Sequence, residues 1–371
     1  MGQIEKDYGD TNFITGMRAV AAFGVLLIHF GGAGLDAFGQ FGIHLIEFGR
    51  TGVYAFFVIS GYSISASYQT SASYLRYLNR RLWRIAPIYY FWLAVAILSG
   101  FAPISGNHGA LTSIDARNVW MHLSFLSFMD YRVTNSILGV EWSISIEVFW
   151  YILAPLLLFF IRGRILVAVA VIASLYWYWK FTEYPPYLPW LPTTWVEDKY
   201  DVGLAMHWSP LPYVASYCLG IGAYRLRQVM PELQRHGNAV FIAVTLTCVG
   251  FLAYREAVLR LAYDEVVFSS LITATLIVFG SQSAVVYRWV FGNRLMVFLG
   301  TISYGIYLPQ FLLLEVLKNY LPANSPQIFL AGCGLAIAVS YAGYRLIELP
   351  ALKFGTSLGE KIGFKRRIKT L

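Results

Sequence analysis

Arg18 and His29 interrupt an otherwise apolar stretch, G-M-R-A-V-A-A-F-G-V-L-L-I-H-F, running from Gly16 to Phe30. Eleven residues is close to three helical turns at about 100° per residue. On a helix both side chains therefore leave one face, roughly 16 Å apart along the axis. An ionisable group at such depth costs about 2.5 kcal/mol or more unless it faces protein or water, which makes it a functional candidate. An imidazole can take and return a proton near neutral pH, and a guanidinium can grip an anion. The plainer alternative is an interfacial Arg snorkelling at the helix entrance, followed by a hydrogen-bonded packing His.

Three further stretches carry comparable chemistry. In G-V-E-W-S-I-S-I-E-V-F-W-Y, Glu141 falls at the mouth of an apolar helix and Glu147 about one and a half turns in. A carboxylate at the depth of His29 could pair with it, fix its tautomer and raise its basicity, a general-base arrangement. The competing reading is a protonated or water-solvated Glu lining a vestibule. In R-Y-L-N-R-R-L-W-R-I-A-P, Arg81 and Arg84 share a helix face, with Arg76 and Arg80 close by. Such a group either fixes membrane topology or clamps phosphate, and the use of Arg without Lys leans toward the clamp. Ser60 and Gly61, within G-V-Y-A-F-F-V-I-S-G-Y-S-I-S, permit close approach of a ligand or simply of another helix.

Other chemistries find little support. His44, His108, His122, His207 and His236 fall in or beside links and read as solvated, with no metal-ligand spacing among them. G-T-I-S-Y-G around Ser303 and G-Y-S-I-S around Ser63 are not nucleophile elbows. There is no G-x-x-x-x-G-K-[ST] phosphate loop, which argues against direct ATP use. Cys218, Cys248 and Cys333 lie in apolar runs and read as small buried hydrophobes.

The elements that would position these residues are set by composition. The 371 residues are 57% hydrophobic and only 13% charged, against roughly 25% charged in soluble proteins. Repeated apolar runs near 20 residues make this an all-α polytopic membrane bundle. Ten spans are expected, near 13–33, 51–68, 83–101, 143–161, 165–182, 203–224, 238–256, 263–281, 295–317 and 326–347. The 102–142 link contains N-V-W-M-H-L-S-F-L-S-F, an amphipathic piece too short to cross. No internal repeat and no matching pair of interrupted helices is visible. With both termini cytoplasmic, 20 of the 28 basic residues fall inside and 8 outside, as the positive-inside rule requires. The net charge of +8 thus reports topology and not nucleic-acid binding. The tail K-R-R-I-K adds attraction to anionic lipid. The polar, net acidic amino terminus lacks a signal-peptide pattern, so the first helix is expected to be retained.

Taken in order, these motifs resemble the membrane-bound acyltransferase-3 family. The similar features are R-x10-H (Arg18, His29), G-V-x-x-F-F-V-x-S-G-[FY] (Gly52 to Tyr62, with Ser60 and Gly61), and R-x-x-R with a following Pro (Arg81, Arg84, Pro87). They continue with W-S-[IL]-x-x-E (Trp142 to Glu147), L-G-x-I-S-Y-x-I-Y-L (Leu299 to Leu308, with Ser303 and Tyr304) and E-x-P (Glu348, Pro350). The resemblance covers nearly the whole chain. It implies an integral-membrane O-acyltransferase of the bacterial plasma (inner) membrane. It further implies acetyl-CoA or another acyl-CoA as donor, no metal, and a cell-surface or secreted polysaccharide or lipid-linked glycan as acceptor. Two departures stand out. Where the family often has a His after S-Y-x-I-Y-L, this chain has Gln310. The appended extracytoplasmic hydrolase-like domain of longer members is also not expected, leaving 1–371 as one domain.

The mechanism expected from residues and resemblance together has Arg81, Arg84 and Arg18 holding the donor's phosphates at the cytoplasmic face. His29, oriented by Glu147, takes the proton of an acceptor hydroxyl arriving from outside; an acyl-histidine intermediate stays open as an alternative. Ser60, Gly61, Tyr62, Trp142, Ser303, Tyr304 and Glu348 are expected to bind substrate or to pack. Tyr184, Tyr187, Trp190, Trp195 and Trp208 are available either to stack on sugar rings or to form an interfacial belt. The rival functions are a transporter or flippase for a glycolipid or small solute, and a non-catalytic sensor of acyl-CoA or lipid.

Overall fold

Serine, aspartate and asparagine caps start several of the helices in this computed structural model, which describes residues 11–101, 114–160, 172, 207–253, 265–322 and 325–361. The chain begins with α1 (Asn12–His29), apolar but for a few positions that include Arg18 and His29, then a 3-10 turn region, α2 (Gly39–Gly49) and α3 (Thr51–Thr70). Ser73 accepts from the Arg76 amide and so caps α4 (Tyr74–Leu98), while Asp115 accepts from the Asn118 amide and caps the short amphipathic α5 (Ala116–Leu123). α6 (Trp142–Phe160) follows, then α7 (Val214–Val229), α8 (Gly237–Ala253), α9 (Glu265–Phe279) and α10 (Val285–Val290). Asn293 caps α11 (Arg294–Thr301), which is succeeded by the short α12 (Ser303–Tyr307) and α13 (Gln310–Lys318). Ser325, with Pro326 at the first helical position, starts α14 (Pro326–Gly343). This runs through a π-helical turn (Tyr344–Glu348) into α15 (Leu349–Lys361).

All regular structure among the described residues is helical. Among the described residues, four segments are long and apolar enough to cross a membrane: Asn12–Ala33, Tyr74–Leu98, Trp142–Phe159 and Pro326–Gly359. α3 packs along α7 and α1 along α11, with α9 against both α3 and α7. The α3–α7 seam depends on two glycines. A Cβ on Gly61 would stand 2.3 Å from the carbonyl oxygen of Tyr217, and one on Gly220 2.0 Å from that of Val58. Gly61 is thus a packing residue, and its neighbour Tyr62 is buried edge-on against Tyr224 in the same cluster.

The structure differs from expectation in three places. The third span begins at Tyr74, not near 83, so Arg76, Arg80, Arg81 and Arg84 are all helical. The sixth helix begins at Val214, after the Pro210 and Pro212 turn. The stretch 295–317 is not one helix but three pieces, broken at Ile302 and at Leu308–Pro309, because Pro309 offers no amide hydrogen and its ring clashes with the preceding turn. Most of the expected 165–182 span, His108, Tyr184, Tyr187, Trp190, Trp195 and the basic tail lie outside the described residues.

Candidate active site

Ser63, one turn beyond Ser60 on α3, is where two of the arginines meet. Arg18 Nη2 donates to Ser63 Oγ at 2.6 Å, and Arg81 donates to the Ser63 carbonyl. Arg81 is buried, its guanidinium 5.2 Å from the Tyr151 ring centre and 5.9 Å from that of Tyr77, and its Nε has no hydrogen-bond partner. Arg84 lines the same cleft, together with Glu147, Ser303 and Tyr304. Arg80, by contrast, is exposed. Three guanidiniums against one carboxylate leave the cleft with excess positive charge in low-dielectric surroundings, an arrangement that favours an anion.

Glu147 does not orient His29. Its Oε1 accepts from Ser60 Oγ at 2.8 Å and from Tyr151 hydroxyl at 2.6 Å. Tyr151 lies one helical turn beyond Glu147, so the carboxylate is held within its own helix and by α3. This ties it to the arginine cleft and away from the imidazole.

His29 instead pairs with Gln310. Its Nδ1 lies 2.6 Å from Gln310 Oε1, and Gln310 Nε2 donates to the Ile306 carbonyl at 3.1 Å. The second bond fixes which way the amide faces, so Nδ1 carries the proton and donates to Oε1. Nε2 is left as the free basic position. The break at Leu308–Pro309 makes this pairing possible, because it starts a new helix at Gln310 directly after the turn. The His29 ring also lies 4.5 Å from that of Phe311. His29 lines a second cavity with Tyr54, Trp142, Arg50, His207 and Glu265. Trp142 therefore belongs to this chamber, its ring 5.0 Å from that of His207. The two cavities abut, with Val53 and Tyr307 contributing to both.

The loop that walls the second cavity is built around buried polar groups that the sequence reading misjudged. Glu141 is not at an open mouth: it is fully buried and its Oε1 accepts from the amides of Ile137 and Leu138 at 2.8 and 3.0 Å. His122 is not solvated either; it is fully buried on α5, with Nε2 3.2 Å from Glu141 Oε1. Asp130, also buried, binds Arg117 at 2.8 Å and Arg132 at 2.9 Å, and its bond to Arg132 raises that guanidinium above its usual value. These contacts hold the backbone that presents Gly139 and Val140 to the cavity. Of the remaining histidines, His207 and His236 are exposed and His44 half-buried, while Trp208 is buried.

Glu348 sits in the π-helical turn, almost fully buried, with Oε1 unpartnered and 3.4 Å from where a Gly305 Cβ would be. π-helical turns gather at functional sites, and this one brings a carboxyl group up behind Gly305, next to Tyr304. Among the described residues no cluster of His, Cys, Asp and Glu could hold a metal.

A family model described as an acyltransferase domain matches residues 11–345. Comparison with curated proteins and comparison with solved structures each gave no significant match. The matched region runs from the start of α1 into the π-helical turn and takes in both cavities. The chain belongs to the acyltransferase-3 family and is a membrane acyltransferase.

Proposed function

We propose that the protein moves an acyl group, acetyl in the simplest case, from cytoplasmic acyl-CoA to a hydroxyl of a cell-surface or secreted polysaccharide or its lipid-linked precursor. The observation that carries this reading is the junction of the two cavities. Arginines gather in one, His29 lines the other, and Arg18 and His29 leave one helix.

The arginine cleft suits a polyphosphate donor. Guanidinium forks match phosphate oxygens, and the buried Arg81 Nε has a hydrogen to give. Bound there, the donor supplies an activated thioester on a long flexible arm. Arg18, Arg81 and Arg84 hold its charged end, while Tyr151, itself bonded to Glu147, stacks against Arg81 and keeps it in place. At the far end of α1, Nε2 of His29 takes the proton of an acceptor hydroxyl. The acceptor oxygen forms the new ester bond as the carbon–sulfur bond breaks, and His29 returns the proton to the departing thiolate. Gln310 holds the required tautomer throughout. Trp142 and Tyr54 offer aromatic faces to an acceptor sugar.

A carrier would share the broken α11–α13 segment and the intramembrane ionisable residues. A flippase moves its cargo without consuming thioester, so the two readings separate in sealed vesicles of one orientation. With labelled acetyl-CoA on the Arg18 side and glycan acceptor on the His29 side, the proposal expects labelled glycan and free CoA. Transport of glycan with the thioester intact would refute it.

A further inference from the structure

Tyr307 is buried in the wall between the two cavities, and its hydroxyl is held twice at the entrance to α6. It donates to the Val140 carbonyl at 2.6 Å, which leaves it to accept from Ser143 Oγ at 2.9 Å. Ser143 faces the arginine cleft and Val140 faces the His29 cavity, so the hydroxyl closes the seam along which the chambers meet. Tyr307 is also the last residue of α12, a five-residue piece with a break on either side. Ile302 leaves helical geometry before it, and Pro309 cannot donate an amide hydrogen after it. A phenol ring on so short a segment can turn without dragging a long helix along with it.

We infer that Tyr307 is the septum between the donor and acceptor chambers, a positioning residue that keeps a thioester in the arginine cleft apart from water activated at His29 until the acyl arm displaces the ring. The inference rests on the acyl-transfer reading above and adds a residue to it. Its chemical motive is competition. A base that activates a sugar hydroxyl activates water equally well. Water attacking the same thioester carbon forms a carbon–oxygen bond, breaks the carbon–sulfur bond and leaves a free carboxylic acid and free CoA. The chamber that receives the acceptor also receives water, so selective transfer requires a partition between that water and the thioester.

Two measurements on the full-length protein in sealed, oriented vesicles test this. In the first, Ile28, which lines the His29 cavity, is replaced by Cys (Ile28→Cys), and a small membrane-impermeant thiol reagent is added from either side, with the same protein lacking that cysteine as background. With Tyr307 present, labelling is expected from the His29 side alone. With Tyr307→Ala it is expected from both sides. Equal labelling from both sides with Tyr307 intact, or one-sided labelling after its removal, overturns the septum whatever the enzyme does. In the second, CoA release from acetyl-CoA is followed without and with a glycan acceptor. Tyr307→Ala is expected to raise acceptor-independent release at least tenfold relative to transfer, with Tyr307→Phe, which keeps the ring and loses both bonds, in between. A parallel fall of hydrolysis and transfer, or an unchanged ratio, contradicts the proposal. If the unaltered protein consumes no thioester, the acyl-transfer reading fails instead, and the labelling result still decides the septum.

Discussion

His29 Nδ1 and Gln310 Oε1 lie 2.6 Å apart, and the amide that receives the imidazole proton is itself anchored to the Ile306 carbonyl. A neutral acceptor here sets the tautomer without adding charge. It leaves Nε2 as the basic atom, facing the second cavity.

Gln310→Met keeps the volume and removes the acceptor. We expect kcat to fall roughly tenfold to a hundredfold, the range that loss of an orienting partner costs a metal-bound histidine. KM for the donor should hardly change, because Gln310 does not line the arginine cleft. Steady-state kinetics on purified protein check this, and a donor KM effect without a kcat effect would count against the orienting role.

The arginines make the opposite prediction. Arg81→Lys loses the fork and its stacking over Tyr151 while keeping charge, so it should not rescue function. Arg84→Ala and Arg81→Lys should each raise the donor KM by about tenfold, equivalent to ~1.4 kcal/mol. The loss should vanish for an acyl-pantetheine donor that lacks the nucleotide phosphates. Comparing kcat/KM for the two donors is the check.

Glu147→Gln separates the structural assignment from the one that sequence reasoning favours. The amide can still accept from Ser60 and Tyr151, so activity should stay within about tenfold of the original. A loss as deep as that of a His29 variant would return Glu147 to the proton-transfer step.

The Arg18–His29 pair was readable because helical geometry fixes the direction of two residues eleven apart, whatever surrounds them. Arg81 and Arg84 were readable for the same reason. The partner of His29 was not, because Glu147 and His29 belong to different helices, and similar depth does not specify rotation about the axis. Gln310 stood out only as a departure from the family pattern, and Pro309, the residue that breaks the helix beside it, was the available signal. Ser63 and Tyr151 share helix faces with Ser60 and Glu147 and could have been found by i, i+3 and i, i+4 spacing. The burial of His122 and Glu141 depends on how the loop between α5 and α6 folds back, and short-range pattern carries no information about that.

That loop offers a stability test distant from the chemistry. His122→Ala removes a fully buried imidazole together with its bond to the Asn118 carbonyl and should destabilise the protein by about 1–3 kcal/mol. Gly61→Ala, which forces α3 from α7, should cost about 1–3 kcal/mol. Thermal unfolding in detergent reads both, and an unchanged midpoint for either would contradict the packing described.

The most direct measurement is acceptor-dependent release of CoA by His29→Ala, purified beside the unaltered protein and matched for folded fraction. The account predicts that the unaltered protein releases CoA in proportion to glycan acylated. It also predicts that the variant, with donor binding intact, falls by at least about a hundredfold, as loss of a general base requires. Transfer by the variant at the rate of the unaltered protein would contradict it.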